Sequence, residues 1–262
     1  MKTIVITGST RGIGFAMARA FLRKDCQVVI CGRQLKKVKA AVQKLAQEFS
    51  PEKVAGFICD VPQYEQIESL WKNAMKKYGK VDIWVNNAGI SNQQNAPWDV
   101  SEKEIRSVIE TNILGEMYGS KVAMQGFLQQ GFGAQYNMEG MGANRRGANV
   151  KGLSIYGASK AGLRYFNDCL AKENSHPGII VGALQPGMVL TSMVTGQYSQ
   201  KPAQWEKDRR ILETLSSDVD KVAGWLATKI FNNNKNEARF SYSNSFRIFA
   251  KFLMVPFRKN SS

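Results

Sequence analysis

The stretch Thr3-Ile4-Val5-Ile6-Thr7-Gly8-Ser9-Thr10-Arg11-Gly12-Ile13-Gly14 decides how the rest of the chain is read. Thr3 to Ile6 is a β-branched run that stops at a cluster of glycines, and Ile13, Met17, Ala20 and Phe21 then recur at helical spacing. The stretch predicts a strand, a tight turn and a helix that opens on the turn. Glycines there let the main chain approach a pyrophosphate, while the free N–H groups and positive dipole end of the helix hold its charge. The spacing is Gly-x-x-x-Gly-x-Gly and not the simpler Gly-x-Gly-x-x-Gly, so the strand–turn–helix context carries the assignment. Gly8, Ser9, Thr10, Arg11, Gly12, Ile13 and Gly14 are the candidate contacts to a dinucleotide. The plainer alternative is an ordinary βα turn.

Working outward, the same alternation continues. Strands are predicted at Gln27 to Cys31, Val54 to Cys59, Val81 to Val85, Ala134 to Met138 and Ile179 to Leu184. Between them fall a basic amphipathic helix from Leu35 to about Phe49, a helix from Tyr64 to Tyr78, one long helix from Glu102 to Gln129, and another from Tyr156 to Lys172. Short apolar strands separated by helices are the mark of βαβ units. The expected fold class is α/β: a Rossmann-like doubly wound parallel sheet of about seven strands in three α/β/α layers. Gly131 to Gly152 reads as an irregular, Gly- and Asn-rich loop, Met188 to Ser217 as a mobile cap of weak periodicity, and Asp218 to Phe231 as an amphipathic helix. With neither linker nor repeat, residues 1–262 are expected to form one domain.

Composition narrows the chemistry. The chain has 262 residues, 44% of them hydrophobic, which is enough to bury a core. Lys plus Arg outnumber acids 36 to 21, a formal +15 that raises anionic ligands, membranes and nucleic acid as partners. A single histidine, His176, and scattered cysteines at 26, 31, 59 and 169 argue against a protein-built metal site. The cysteines read as reduced residues of a cytoplasmic protein. The opening apolar run is too short for a secretory signal, and no stretch is long enough to span a membrane.

The end of the second strand chooses the cofactor. An NAD enzyme places a carboxylate there to hold the ribose 2′-hydroxyl. Here Cys31-Gly32-Arg33 has no acid. Arg33, with Arg11 in the turn, suits a 2′-phosphate, since guanidinium forks match phosphate oxygens. NADP(H) is therefore expected in preference to NAD(H), the alternative being that both arginines are plain surface charges.

Further along, Asp60 follows strand three, Asn86-Asn87-Ala88-Gly89 follows strand four, and Asn112 sits in the long helix. Tyr156-Gly157-Ala158-Ser159-Lys160 opens the helix after strand five, and Pro186-Gly187-Met188-Val189-Leu190-Thr191 closes strand six. Tyr156 and Lys160, four residues apart, project from one helix face, where the ammonium favours the phenolate and makes Tyr156 a usable general acid. In this order and spacing the motifs resemble the short-chain dehydrogenase/reductase family over roughly residues 1–192. The resemblance implies a nicotinamide-dependent oxidoreductase acting on a small carbonyl or alcohol, commonly as a homodimer or homotetramer. It further implies that Lys160 also binds the nicotinamide ribose and that Asn112 holds a water in a proton relay. By the same resemblance Asp60 and Val61 meet the adenine, Asn87, Ala88 and Gly89 line its ribose, and Pro186, Gly187, Val189 and Thr191 frame the nicotinamide.

One expected residue is missing. The family carries a serine at the end of strand five to bond the substrate oxygen, but thirteen residues before Tyr156 stands Ala143. The family's Ser-Ser pair falls on Glu139-Gly140. Glu139 becomes the candidate for that role, with Ser154 and Asn144 behind it. The run Asn137-Met138-Glu139-Gly140, the lengthened basic loop and the Pro186 to Thr191 string resemble the chlorophyll b reductase branch, whose members reduce a formyl group with NADPH. The long loop beside the site suggests a bulky or unusual carbonyl compound, and the resemblance is not extended to a pigment substrate. Loss of the serine leaves a second reading, a nucleotide-sensing or scaffold protein without turnover.

From Arg239 to Lys259 aromatics alternate with cations, and residues 233–262 hold six Lys/Arg against one acid. Packing on a neighbouring subunit or over the pocket is the leading reading of this tail, peripheral contact with an anionic membrane the next, and nucleic acid the last.

Overall fold

The computed structural model describes residues 1–140, 143 and 151–242. Seven strands form one parallel sheet: β1 (Thr3–Ile6), β2 (Gln27–Gly32), β3 (Val54–Ile58), β4 (Ile83–Asn86), β5 (Gly133–Met138), β6 (Ile179–Gln185) and β7 (Arg239–Ser241). Their order is β3-β2-β1-β4-β5-β6-β7. The direction of winding reverses between β1 and β4, which opens a crevice at the carboxyl ends of those strands, the usual place for a ligand in an open α/β sheet.

Alternation along the strands explains the layers. Ile4, Ile6, Val28 and Ile30 point to one face and pack with α1 (Gly12–Leu22), α2 (Leu35–Glu48) and α9 (Val219–Phe231). Val5, Val29 and Trp84 point to the other and meet α3 (Tyr64–Tyr78) and α5 (Gly115–Gln130). Both faces are covered, so the strands are apolar on both sides.

The long helix expected at Glu102 to Gln129 is three pieces: α4 (Glu102–Ile109), a π-helical turn at Glu110–Leu114, and α5. The turn carries Asn112, and such π turns recur at functional sites. α6 spans Ser154–Glu173, two residues earlier than Tyr156 at its start. The segment expected as an aperiodic cap contains α7 (Ser192–Gly196) and α8 (Pro202–Leu215). Only Thr214 of α8 is buried, so no apolar stripe marks it in the sequence. Polar i,i+4 pairs, Arg209–Glu213 and Gln204–Asp208, support it instead. Strand β7 corrects the tail: Arg239 to Ser241 join the sheet beside β6, Phe240 stacks near Tyr136, and Tyr242 packs edge-on to Trp225. The rest of the tail, 243–262, lies outside the described residues, as does Asn144.

Candidate active site

The turn after β1 is shaped for close approach. Gly8 has φ +61°, and a Cβ there would lie 2.7 Å from the Ala88 backbone, so only glycine fits against the end of β4. Asn87 Nδ2 donates to the carbonyls of Thr7 (2.8 Å) and Gly8 (3.2 Å), and the Asn87 and Ala88 N–H groups donate to Thr7 Oγ1. Two strand ends are thereby held as one rim. Arg11 caps α1 in extended conformation and supplies no side-chain bond to the first N–H groups, which stay open to an anion.

Ser9 departs from the expectation. It is buried, its hydroxyl donates to Ile6 O (2.6 Å) and accepts from Cys31 N, and its own N–H donates to Cys31 O. Its polar atoms brace β1 against β2 and are not offered to a phosphate. The Thr10 side chain lies against Gly32, which brings the turn beside Arg33. Arg11 and Arg33 are exposed and carry no ion pair among the described residues. Val61 is buried against the start of α5, and Val189 belongs to the core, so neither presents a side chain to the crevice. Pro186 is buried, Gly187 turns at φ +72°, and the Thr191 methyl comes within 3.8 Å of a Cβ placed on Gly12. The loop after β6 thus reaches the phosphate turn. Asp60 is fixed through its N–H by Gln66, at the carboxyl end of β3.

Asn112, Tyr156 and Lys160 lie deeper in the crevice. Asn112 is fully buried; its Oδ1 accepts from Ile90 N, and its Nδ2 donates to Ile90 O and to Ser159 Oγ, each at 2.9 Å. Both amide hydrogens are therefore committed, and one Oδ1 lone pair remains for a water. Gly89 stands between them, with Asn112 Oδ1 and Lys160 Nζ both within 4 Å of its Cβ position. Tyr156 is buried, its N–H held by Asn92 Oδ1, and burial pushes its phenol up to about 12. Lys160 Nζ donates to Met138 O (2.8 Å). Burial lowers the Lys160 pKa, against the upward pull of the Glu116 and Glu139 carboxylates. The expected lowering of the Tyr156 pKa by Lys160 is therefore absent in the protein alone, because desolvation dominates both groups.

Glu139 is corrected as well. It is buried and faces away from the phenol: Gln185 Nε2 donates to its Oε2 (2.6 Å), and Arg239 grips both carboxylate oxygens, Nη2 at 2.9 Å and Nε at 3.2 Å. The same guanidinium bonds Asp168 at 2.7 Å. The position that faces the phenol is the next one. A Cβ on Gly140 would sit 2.4 Å from the Tyr156 hydroxyl oxygen, so no side chain fills the serine's place. Ser154 is exposed at the first turn of α6. Two residues escaped the sequence reading: Arg239, a hundred residues from its partner, and Glu116, a buried carboxylate one turn beyond Asn112 on the same long helix.

Residues 2–202 match the family model for short chain dehydrogenases. The chain belongs to the short-chain dehydrogenase family. It is a nucleotide-binding oxidoreductase fold, and its similarities place it near the chlorophyll b reductase branch. It is 34% identical over 232 residues to a chloroplastic chlorophyll(ide) b reductase from Arabidopsis thaliana, covering 87% of this chain and 64% of that one. A carbonyl reductase family member 4 from Xenopus laevis is 34% identical over 194 residues, 74% of this chain and 78% of that one. Among solved structures, an actinorhodin polyketide ketoreductase variant with NADPH superposes at TM-score 0.81 with 26% identity, covering 92% of this chain and 95% of that one. The chain spans between 43% and 66% of the length of the chlorophyll(ide) b reductases that it matches.

Proposed function

We propose that this protein is an NADPH-dependent reductase of aldehydes or ketones in which Tyr156 is the general acid. The observation that carries the reading is that Asn112 and Lys160 meet at Gly89 while Lys160 and the Tyr156 hydroxyl meet at Gly140, behind a turn shaped for a pyrophosphate. The cofactor fits the residues present: the open α1 N-terminus and Gly8 suit the pyrophosphate, and the exposed guanidinium groups of Arg11 and Arg33, with no acid at Cys31-Gly32-Arg33, suit a 2′-phosphate. When bound, that group supplies hydride to the carbonyl carbon. Tyr156 gives its hydroxyl proton to the carbonyl oxygen, and the Lys160 ammonium stabilises the phenolate left behind. With glycine at 140, where the Tyr156 hydroxyl packs too closely for any side chain, the substrate oxygen has one protein donor in place of two. The names of the similar carbonyl and chlorophyll(ide) b reductases, and the NADPH of the similar ketoreductase, support this reading. We further read the chain as a cytoplasmic homodimer or homotetramer that takes a small-molecule substrate, with the tail packed on a subunit or touching a membrane.

The test is NADPH oxidation against a panel of aldehydes, ketones and formyl pigments. Turnover is expected, with a loss of about a hundredfold or more in Tyr156→Phe. Arg33→Asp is expected to weaken NADPH at least about tenfold while sparing NADH. Absence of turnover with every carbonyl, or an unimpaired phenylalanine variant, sinks the reductase reading. The missing serine favours one second reading, a nucleotide sensor, which NADPH binding without turnover would support.

A further inference from the structure

Helix α6 opens on Leu153, an apolar residue that offers no side-chain acceptor to the first turn. The first N–H groups of a helix have no partner inside it, and a Ser, Asp or Asn at the start normally serves one of them. Here that bond comes from across the fold. The Tyr156 N–H, in the first turn, donates to Asn92 Oδ1 at 3.1 Å over a separation of 64 residues. Asn92 is buried, and both hydrogens of its amide are committed: Nδ2 donates to Gln93 O at 2.7 Å and to Gly152 O at 2.9 Å. The three bonds agree on one orientation of the amide, with its oxygen toward the helix and its nitrogen toward two carbonyls.

The chain entering α6 is docked on the same segment. Gly152 has φ +87°, and a Cβ there would come within 2.7 Å of the Gln94 side chain, so the approach needs glycine. Its carbonyl accepts from the Asn95 N–H as well as from Asn92. Tyr156 is also held from its other side. Its carbonyl accepts from the Ser159 hydroxyl at 2.7 Å, that hydroxyl accepts from Asn112 Nδ2, and Asn112 clamps Ile90, two residues before Asn92. A closed ring thus runs through Asn92, Tyr156, Ser159, Asn112 and Ile90. Since Gly140 brings no side chain to the phenol, these main-chain anchors govern where the hydroxyl stands. A small tilt of the first turn is magnified along the ring of the tyrosine.

Resting on the reductase reading above, we propose that Asn92 is a positioning residue that acts through the Tyr156 main chain, holding the first turn of α6 where the phenol can meet a substrate oxygen. Its contribution is geometric. A general acid works only within hydrogen-bond reach of the atom it protonates. Misplacing it by about 1 Å costs on the order of a hundredfold in rate.

Two measurements on the whole protein test this. The first is amide hydrogen exchange by NMR with ¹⁵N-labelled tyrosine, the Tyr156 signal being the one absent from Tyr156→Phe. Relative to the other tyrosine amides, exchange at Tyr156 is expected to be at least about tenfold faster in Asn92→Ala than in wild type, and to stay slow in Asn92→Asp, which keeps the acceptor. Equal exchange in wild type and Asn92→Ala overturns the proposal, whether or not a substrate is known. The second is kcat and KM with any carbonyl compound that the wild type reduces. Both variants lose the two donor bonds to Gln93 O and Gly152 O, so both should melt below wild type. Asn92→Ala is expected to lower kcat about thirtyfold with KM little changed, while Asn92→Asp stays within about threefold of wild type. A kcat that follows the melting temperature, with Asn92→Asp falling as far as Asn92→Ala, shows a structural role only and overturns the proposal. Asn92→Leu serves the same comparison if the alanine variant does not fold. Wild type that reduces no carbonyl defeats the reductase reading, and the exchange result then decides by itself whether Asn92 holds Tyr156.

Discussion

Arg239 holds Glu139 and Asp168 at once, and Glu139 has no access to water of its own. Removing one partner of a buried pair leaves an uncompensated charge, which costs more than the pair contributes. Arg239→Leu is therefore expected to destabilise the protein by about 3 kcal/mol in urea unfolding. Adding Glu139→Leu should recover part of the loss, with a coupling energy of at least about 1 kcal/mol in a double-mutant cycle. Strictly additive losses would show that the two residues do not act as a pair. The sequence offers two positions, Glu139 and Gly140, for the missing serine, and chemistry favours the one with a side chain. Geometry selects the other, because the partner that turns Glu139 away is a hundred residues distant and has no local signature. Glu116 did have a signal: a lone carboxylate four residues after a candidate site residue on the same helix face.

Among the elements, the strand–helix alternation was legible because β1, β2, β4 and β6 are short and rich in β-branched residues, with periodic helices between them. The π-helical turn was not, since an added residue per turn leaves the buried spacing close to helical. That turn presents Asn112 as a clamp on the segment after β4, satisfying both the N–H and the carbonyl of Ile90. Asn112→Ala is expected to cost about 2 kcal/mol in thermal or urea unfolding, because two main-chain groups lose their partner. It should also lower turnover, since Gly89 and Lys160 share that corner. Unchanged stability would mean that Ile90 finds another partner. α8 was illegible for a different reason: a helix that is polar nearly all round has no period to read.

For the molecule as a whole, the buried carboxyl gives a signed pH dependence. The folded pKa of Glu116 is raised to about 8, so native protein binds a proton that the unfolded chain has already released. Its contribution is present in full below the ordinary glutamate pKa and is lost as pH rises through about 8. Wild type should therefore lose stability relative to Glu116→Gln between about pH 5 and 8, measured as the difference in melting temperature. A constant difference across that range would place the Glu116 pKa in the ordinary range. The net +15 has meanwhile divided: some cations are spent inside, as Arg239 is, while Arg11 and Arg33 stand exposed.

Strand β7 has a consequence in time. A ribosome releases the chain from its N-terminus, and domains begin to organise as they emerge. Residues 1–238 can lay down six strands, yet the Glu139 carboxylate then has no guanidinium to meet, and the wall beside Tyr156 and Lys160 stays unfastened. The last of the described strands to leave the tunnel carries the counter-ion. Synthesis thus places its own checkpoint: a nascent chain halted before Arg239 holds the residues of the site without the closed wall behind them.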